Sequence, residues 1–167
     1  MGIHLSRRVL TSDQALELDR APTSTTVLGS GVEFAIRWLS FGAEVTIVEA
    51  LARLIAAEDP WSSKQLEWAY RKRGSVCKSD TKIVSAKEAA GSVGAELCDG
   101  TIFDTDLLLV AVGRGPHTDG NGFEENGIGL DKGFVGTHER LRASMNGAYA
   151  VGDIMPGLAL AHRGFQL

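Results

Sequence analysis

A strand–glycine–helix–glycine–strand pattern constrains the fold of this chain more than any other stretch. An apolar strand over Thr25–Leu28 runs into Gly29-Ser30-Gly31, and residues with core-facing helical spacing follow. Gly42 is suited to end that helix, and the β-branched stretch Glu44–Val48 reads as a second strand. Two strands joined through a helix lie parallel in one sheet, so the pattern predicts an α/β fold.

The same stretch is typical of a dinucleotide-binding unit. Gly29 allows a tight turn after the strand, and Gly31 lets the backbone approach a pyrophosphate at the helix N-terminus. Glu49, at the end of the second strand, is placed to accept hydrogen bonds from an adenine-side ribose. The pattern departs from G-x-G-x-x-G at one position, because Phe34 stands where the third glycine is expected.

The composition is typical of a globular domain and argues against nucleic acid or a membrane as a partner. The 167 residues are 44% hydrophobic and 23% charged, which suffices for one core. A formal net charge of −4 argues against nucleic acid or an anionic membrane as partner, and no apolar run reaches the roughly 20 residues of a membrane span. Cys77 and Cys98 form no metal signature, so we expect no metal site and a reduced, cytoplasmic chain.

The remaining elements follow from turn and capping signals. Thr11 and Gln14 form a capping box for a short helix through Leu18, and residues 1–22 read as a connecting segment. Asp59-Pro60 begins another helix. Short strand-like stretches separated by glycine turns predict a three-stranded antiparallel meander; they are Lys82–Ala86, Val93–Cys98 and Thr101–Phe103. Two further strands are expected at Asp106–Val112, buried on both faces, and at Gly147–Val151.

Five motifs in order carry a family resemblance: VLGSGV-EFA, TIVEA, LLLVAVGRGP, GAYAVGD and LALAH. From about Leu10 to Gln166 the chain resembles the pyridine nucleotide–disulfide oxidoreductases, most closely the dihydrolipoamide dehydrogenase group. Those flavoproteins use FAD and NAD and work in 2-oxoacid dehydrogenase complexes. The resemblance implies a Rossmann-like parallel sheet with the meander. It also implies a linker from an FAD domain at 1–22, an NAD-binding domain at 23–146, and a last strand with the start of the return to the FAD domain at 147–167.

The resemblance assigns cofactor contacts to particular residues. Gly29, Ser30 and Gly31 match the residues along the NAD pyrophosphate, against the alternative of a plain strand–helix turn. Glu49 matches the ribose-binding acid, whose charge favours the 2′-hydroxyl of NAD over the 2′-phosphate of NADP. The remaining NAD-side matches are Ile83 near the adenine, with a simple core role equally open, and Gly113 near the nicotinamide.

A second set of matches concerns the flavin. Asp153 resembles the aspartate of the FAD ribityl chain, and the flavin-contacting stretch corresponds to Ala159, Leu160, Ala161 and His162. Half a flavin site is not expected to hold FAD, so residues 152–167 are expected to form a loose tail. The CxxxxC redox motif and the His–Glu segment of the family are absent from the sequence. We therefore assign no catalytic residue and expect the chain to be inactive alone.

The glycine turn is three residues shorter than the family's GxGVIGVEFA. Three residues correspond to about 300° of helix rotation and about 4.5 Å of rise. Phe34 is expected to push the helix away from the sheet or to remodel the turn, which would weaken NAD binding.

Several readings of the function stay open. The first is an NAD-binding-domain fragment of a dihydrolipoyl dehydrogenase-like protein, and the alternative is a non-catalytic domain with little or no cofactor binding. A relation to mercuric or glutathione reductases, or assembly with a separately encoded FAD domain, is also open.

Overall fold

The computed structural model describes residues 3–166, and the chain divides into two compact units, residues 1–113 and residues 114–167. The first unit holds eight strands and three helices among its described residues. In chain order they are β1 (Val9–Leu10), α1 (Ser12–Leu16), β2 (Ser24–Leu28), α2 (Val32–Ser40), β3 (Glu44–Val48), α3 (Pro60–Lys72), β4 (Val76–Lys78), β5 (Ile83–Glu88), β6 (Val93–Leu97), β7 (Ile102–Thr105) and β8 (Leu107–Val110).

Five strands form one parallel sheet in the order β1-β8-β2-β3-β4. The central strand β2 pairs with β3 through Val27–Ile47 and with β8 through Val27–Leu109. The strands β5, β6 and β7 form a separate antiparallel sheet. The predicted α/β fold, with its parallel sheet and three-stranded meander, is therefore confirmed.

Both faces of the parallel sheet are buried, which explains the continuous apolar runs of its strands. Successive residues of a strand point to opposite faces. Val27 of β2 lies in the cluster that contains Ala35 and Trp38 of α2, whereas the adjacent Leu28 packs with Ile83 of the meander. The glycine turn therefore follows β2, a strand that packs against α2 on one face and against the meander on the other.

The helices α1 and α3 begin at the residues that the sequence predicts, and α1 is shorter than predicted. Asp59 caps α3 by accepting hydrogen bonds from the N–H groups of Trp61 and Ser62, each at 3.0 Å. The capping box of Thr11 and Gln14 begins α1, which ends at Leu16 rather than at Leu18.

The amino-terminal segment contributes to the sheet instead of only leading into it. Its strand β1 pairs with β8, Val9 opposite Leu108. The Asp106 carboxylate accepts hydrogen bonds from the guanidinium groups of Arg8 and Arg20 and from the N–H of Thr23. A two-residue strand has no periodicity, so the sequence does not reveal it.

The second unit is mostly irregular. It contains two 3-10 turns (Glu124–Asn126 and Gly152–Ile154), the hairpin β9 (Leu130–Asp131) and β10 (Phe134–Val135), and the helix α4 (Ala161–Gln166). The strand expected over Gly147–Val151 is reduced to an isolated bridge between Tyr149 and Arg142. A small apolar cluster forms its core, made of Val135, Ala143, Ala150 and Met155.

No helix among residues 3–166 has the length and apolar character needed to cross a membrane.

Candidate functional site

The turn after β2 is fixed by contacts that only glycine allows. Gly29 has φ +89°, and a Cβ there would lie 2.3 Å from the carbonyl oxygen of Ala111. Its N–H donates to the carbonyl of Val48 at 2.8 Å. The turn is thereby held between the carboxyl ends of β3 and β8, where ligands bind in parallel α/β sheets.

Gly31, the N-cap of α2, lets the start of the helix pack closely against the sheet. A Cβ at Gly31 would lie 2.7 Å from the Ala111 Cβ and 3.0 Å from Cγ1 of Val27. Ala35, one turn later, is fully buried in the same interface. Close helix–strand packing of this kind is what the third glycine provides in the dinucleotide fingerprint.

Of the two effects expected of Phe34, displacement of the helix is absent, because α2 packs closely on the sheet at Gly31 and Ala35. The other effect, a remodelled turn, stays a prediction. Phe34 lies on the flank of α2, half-buried, with its ring centroid 5.5 Å from that of Trp38. Gly31 occupies the contact with the strand, so Phe34 displaces nothing. We therefore interpret the three residues missing from the family pattern as lying before the packing glycine, and weaker binding of a pyrophosphate there stays a prediction.

Glu49 is buried and bonded to its own chain. It is 6% exposed, one carboxylate oxygen (Oε2) accepts the Ser30 hydroxyl at 2.6 Å, and the other (Oε1) accepts the Leu51 N–H at 2.9 Å. The Ser30 oxygen accepts the N–H of Ile55 at 3.1 Å. The glycine turn, the acid and the loop after β3 thus form one hydrogen-bonded group.

The first turn of α2 is fixed by a residue of α3. The hydroxyl of Tyr70, a residue only 2% exposed, donates to the carbonyl of Val32 at 2.5 Å. Burial, followed by the negative charge of Glu33, raises the pKa of Tyr70 to about 12. Glu33 itself is exposed in the first helical turn, where an acid suits the helix dipole.

The other NAD-side residues differ in accessibility. Ile83 is 3% exposed and packs in the cluster between the sheet and the meander. Gly113 follows β8 with φ +118° and is exposed, and a Cβ there would meet no atom within 4 Å. The structure gives Ile83 the surroundings of a core residue and leaves Gly113 open to a ligand.

The residues matched to the flavin lie in the second unit. Asp153 is in the 3-10 turn Gly152–Ile154 and is exposed. Ala159 and Leu160 precede α4, Ala161 and His162 begin it, and all four are exposed. The tail expected over 152–167 therefore contains a short helix within its described part.

The cysteines take no part in this arrangement. Cys77 is buried in β4, and burial raises the pKa of its thiol. Cys98 is exposed, and both thiols are free. Within residues 3–166 there is no cluster of His, Cys, Asp and Glu side chains that could hold a metal.

Sequence reasoning missed the groups that bind Ser30 and Glu49. Leu51 and Ile55 act through backbone N–H groups, which carry no side-chain signal. Ile55 also has φ +43°, a left-handed conformation that a β-branched residue rarely adopts. Tyr70 lies in the helix that Asp59-Pro60 begins, but nothing in the sequence marks its hydroxyl as a hydrogen-bond donor to another helix.

These residues fit a dinucleotide in part. The strand-end glycine and the neighbouring acid have the order and placement that the adenosine half of NAD requires. The Glu49 carboxylate, however, is already hydrogen-bonded to Ser30 and Leu51.

Known proteins share this architecture. Residues 2–166 match the pyridine nucleotide-disulphide oxidoreductase family. A leghemoglobin reductase of Vigna unguiculata is 32% identical over 94% of this chain and 32% of its own length. A dihydrolipoyl dehydrogenase of Chlorobaculum tepidum is 35% identical over 94% of this chain and 35% of its own length.

A solved structure extends the comparison. The HOCl-induced flavoprotein disulfide reductase RclA of Escherichia coli superposes with a TM-score of 0.88 at 27% identity, covering 99% of this chain and 39% of that one. The chain spans about a third of the length of the curated relatives it matches. It belongs to the pyridine nucleotide-disulphide oxidoreductase family and is similar to the dihydrolipoyl dehydrogenases within it.

Proposed function

We propose that this chain is the NAD-binding part of a dihydrolipoyl dehydrogenase-like flavoprotein and that it binds NAD with weakened affinity. The observation that carries the proposal is the juxtaposition of the Gly29-Ser30-Gly31 turn with Glu49, at the carboxyl ends of neighbouring parallel strands. An adenine ribose at Glu49 would place the pyrophosphate toward the start of α2. Gly113 leaves room for the nicotinamide end.

Glu49 sets the choice between the two nicotinamide cofactors. A carboxylate accepts a hydrogen bond from the 2′-hydroxyl of NAD and repels the 2′-phosphate of NADP. Among residues 3–166, the Glu49 carboxylate accepts hydrogen bonds from the neutral Ser30 hydroxyl and Leu51 N–H, so it keeps its acceptor character. We therefore propose NAD as the preferred cofactor.

The flavin and redox parts of the family reaction are proposed to be incomplete in this chain. Asp153 and the Ala159–His162 stretch supply one portion of an FAD site. The two cysteines, 21 residues apart in sequence, do not form CxxxxC. We propose that the chain alone does not reduce disulfides, and that its functional context, if assembled with an FAD-binding partner, is a 2-oxoacid dehydrogenase complex.

The division of the sequence at residues 22 and 146 is part of this proposal. Residues 23–146 would supply the NAD-binding domain, with 1–22 and 147–167 leading from and to an FAD domain. Through the strand β1 and the ion pairs of Asp106 with Arg8 and Arg20, the described part of the segment 1–22 packs on the sheet that we propose to bind NAD.

The shortened turn favours a second candidate function, a non-catalytic domain with little or no cofactor binding. Calorimetric titration with NAD and NADP distinguishes the two. Measurable NAD binding that exceeds NADP binding, and that falls in Glu49→Gln, is the result expected from the first proposal. Absence of NAD binding at millimolar concentration would overturn it and favour the second candidate.

A further inference from the structure

We infer that Ser30 competes with the ligand for Glu49, so that the glycine turn itself lowers the affinity of the site for an adenine ribose. This inference rests on the proposed function, since it concerns the same acid. The resemblance to the family does not assign to Ser30 any effect on how tightly Glu49 binds an adenine ribose. The Ser30 hydroxyl is bonded to Glu49 Oε2 at 2.6 Å.

The arrangement holds the Ser30 hydroxyl in one orientation. Its hydrogen is donated to Glu49, and its oxygen accepts the N–H of Ile55 at 3.1 Å. The loop that supplies Ile55 is itself fixed, because the adjacent Leu54 is fully buried and its carbonyl accepts the Ser63 hydroxyl of α3. Ser30 therefore bridges the turn to a packed loop.

Burial makes the remaining capacity of Glu49 hard to reach. A carboxylate can accept about four hydrogen bonds, but this residue is only 6% exposed. A ribose hydroxyl must therefore take the position of the Ser30 hydroxyl. That exchange replaces one charge-assisted hydrogen bond with another, so it gains less net free energy than a new hydrogen bond to an unpartnered carboxylate oxygen would.

Removing the competing hydroxyl should strengthen binding. In Ser30→Ala, Oε2 of Glu49 has no hydroxyl partner from the turn, and a ribose hydroxyl then satisfies a buried acceptor. We expect ADP-ribose to bind about ten-fold tighter to this variant than to the unsubstituted chain. Ser30→Thr keeps a hydroxyl and should stay closer to the unsubstituted chain than to Ser30→Ala.

The experiment is calorimetric titration of the full chain and its variants with ADP-ribose, which has the ribose and pyrophosphate but no redox group. Ser40→Ala is the matched control, because Ser40 is an exposed serine of α2 whose hydroxyl donates to the Ile36 carbonyl and accepts from Arg73 rather than bonding to Glu49. It should bind ADP-ribose as the unsubstituted chain does. Equal or weaker binding by Ser30→Ala would overturn the inference while leaving the proposed function standing. Failure of every variant to bind would overturn both.

A ligand-free measurement tests the hydrogen bond itself. In a double-mutant cycle of Ser30→Ala and Glu49→Gln, followed by urea unfolding, the double variant should lose less stability than the sum of the single variants. Additive losses would show that the two side chains are uncoupled and would contradict the inference.

Discussion

At the scale of single residues, two glycines of the turn have different tasks. Gly29 provides a left-handed backbone conformation beside the Ala111 carbonyl, and Gly31 provides close packing of α2 on the sheet. Both requirements come from the ends of strands that are distant in sequence. The sequence predicts a glycine turn at this position, and the structure shows which contact requires each of the two glycines.

Gly31→Ala should destabilise the chain because its Cβ would overlap the side chains of Ala111 and Val27. Overpacking of this kind costs about 1–3 kcal/mol. The change in unfolding free energy can be measured by urea denaturation. Gly115→Ala is the matched control, since a Cβ there meets no atom within 4 Å and its φ lies outside the left-handed region. Equal stability of the two variants would contradict the packing role of Gly31.

Asp106→Asn should destabilise the amino-terminal segment and remove part of the acid sensitivity. Hydrogen bonding to the Arg20 guanidinium, with further donors from Thr23 and Arg8, holds the pKa of Asp106 well below its usual range. A depressed pKa in the folded state contributes stability above about pH 4, and this stability is lost as the pH falls below that value. At pH 7 the expected loss in Asp106→Asn is about 1–3 kcal/mol.

Urea unfolding from pH 7 down to pH 3 checks this expectation. The difference between Asp106→Asn and the unsubstituted chain should shrink as the pH falls. Asp104→Asn, an exposed position two residues earlier in β7, serves as control and should change little. A difference that stays constant with pH would refute the role of the Asp106 charge.

At the scale of elements, α2 is the helix on which the site depends. It has nine residues, starts directly after Gly31, and its first turn receives a hydrogen bond from Tyr70 of α3. The contact to α3 therefore positions the amino-terminal end of α2, where we propose that the pyrophosphate binds. A short helix has few backbone hydrogen bonds of its own, so tertiary contacts determine where it begins.

Tyr70→Phe should loosen the start of α2 without creating a cavity. Loss of the hydrogen bond to the Val32 carbonyl is expected to cost about 1 kcal/mol in urea unfolding. Tyr149→Phe, at an exposed tyrosine, should be nearly neutral. If both substitutions had the same small effect, the Tyr70 hydroxyl would have no structural role.

The raised pKa of Tyr70 also leads us to expect a loss of stability in alkaline solution. Because its pKa is raised to about 12 in the folded chain, its contribution is complete below about pH 10 and is lost as the pH rises through 12. Unfolding free energies between pH 9 and pH 11 should therefore fall more steeply for the unsubstituted chain than for Tyr70→Phe. Parallel curves would contradict this assignment.

Much of the element order could be predicted from the sequence because the signals are local. The glycine turn and its two strands, the Asp59 cap of α3 and the glycine-separated meander each carry their own pattern, and each is present. The buried run around Leu108 likewise indicated a central strand, and the structure places it between β1 and β2.

The parts that could not be predicted depend on distant partners or on very short segments. The strands β1 and β4 have two and three residues, too few for a period to show. The packing role of Gly31 could not be predicted, because counting from Gly29 locates the missing residues after Gly31, whereas packing against Val27 locates them before it. The hydrogen bond between Ser30 and Glu49 joins residues 19 positions apart, and no sequence pattern indicates it.

At the scale of the whole molecule, the chain has the fold and family of a flavoprotein disulfide reductase but the length of about a third of one. Its first unit contains every residue assigned to NAD, and its second unit contains the residues matched to FAD. The central claim concerns the first unit. We propose that its NAD site is intact in topology and weakened by a turn that is three residues short.

Insertion of Ile-Gly-Val after Val32, followed by titration with NAD, tests this claim most directly. The inserted glycine can take over the strand contact of Gly31, and Gly31 then becomes free to face the pyrophosphate. Insertion of Ile-Leu-Val is the matched control, because leucine cannot occupy the contact with Val27 and Ala111. The account predicts that Ile-Gly-Val tightens NAD binding by at least about ten-fold and that Ile-Leu-Val does not. Equal NAD affinity of the unmodified chain and the Ile-Gly-Val variant would contradict it.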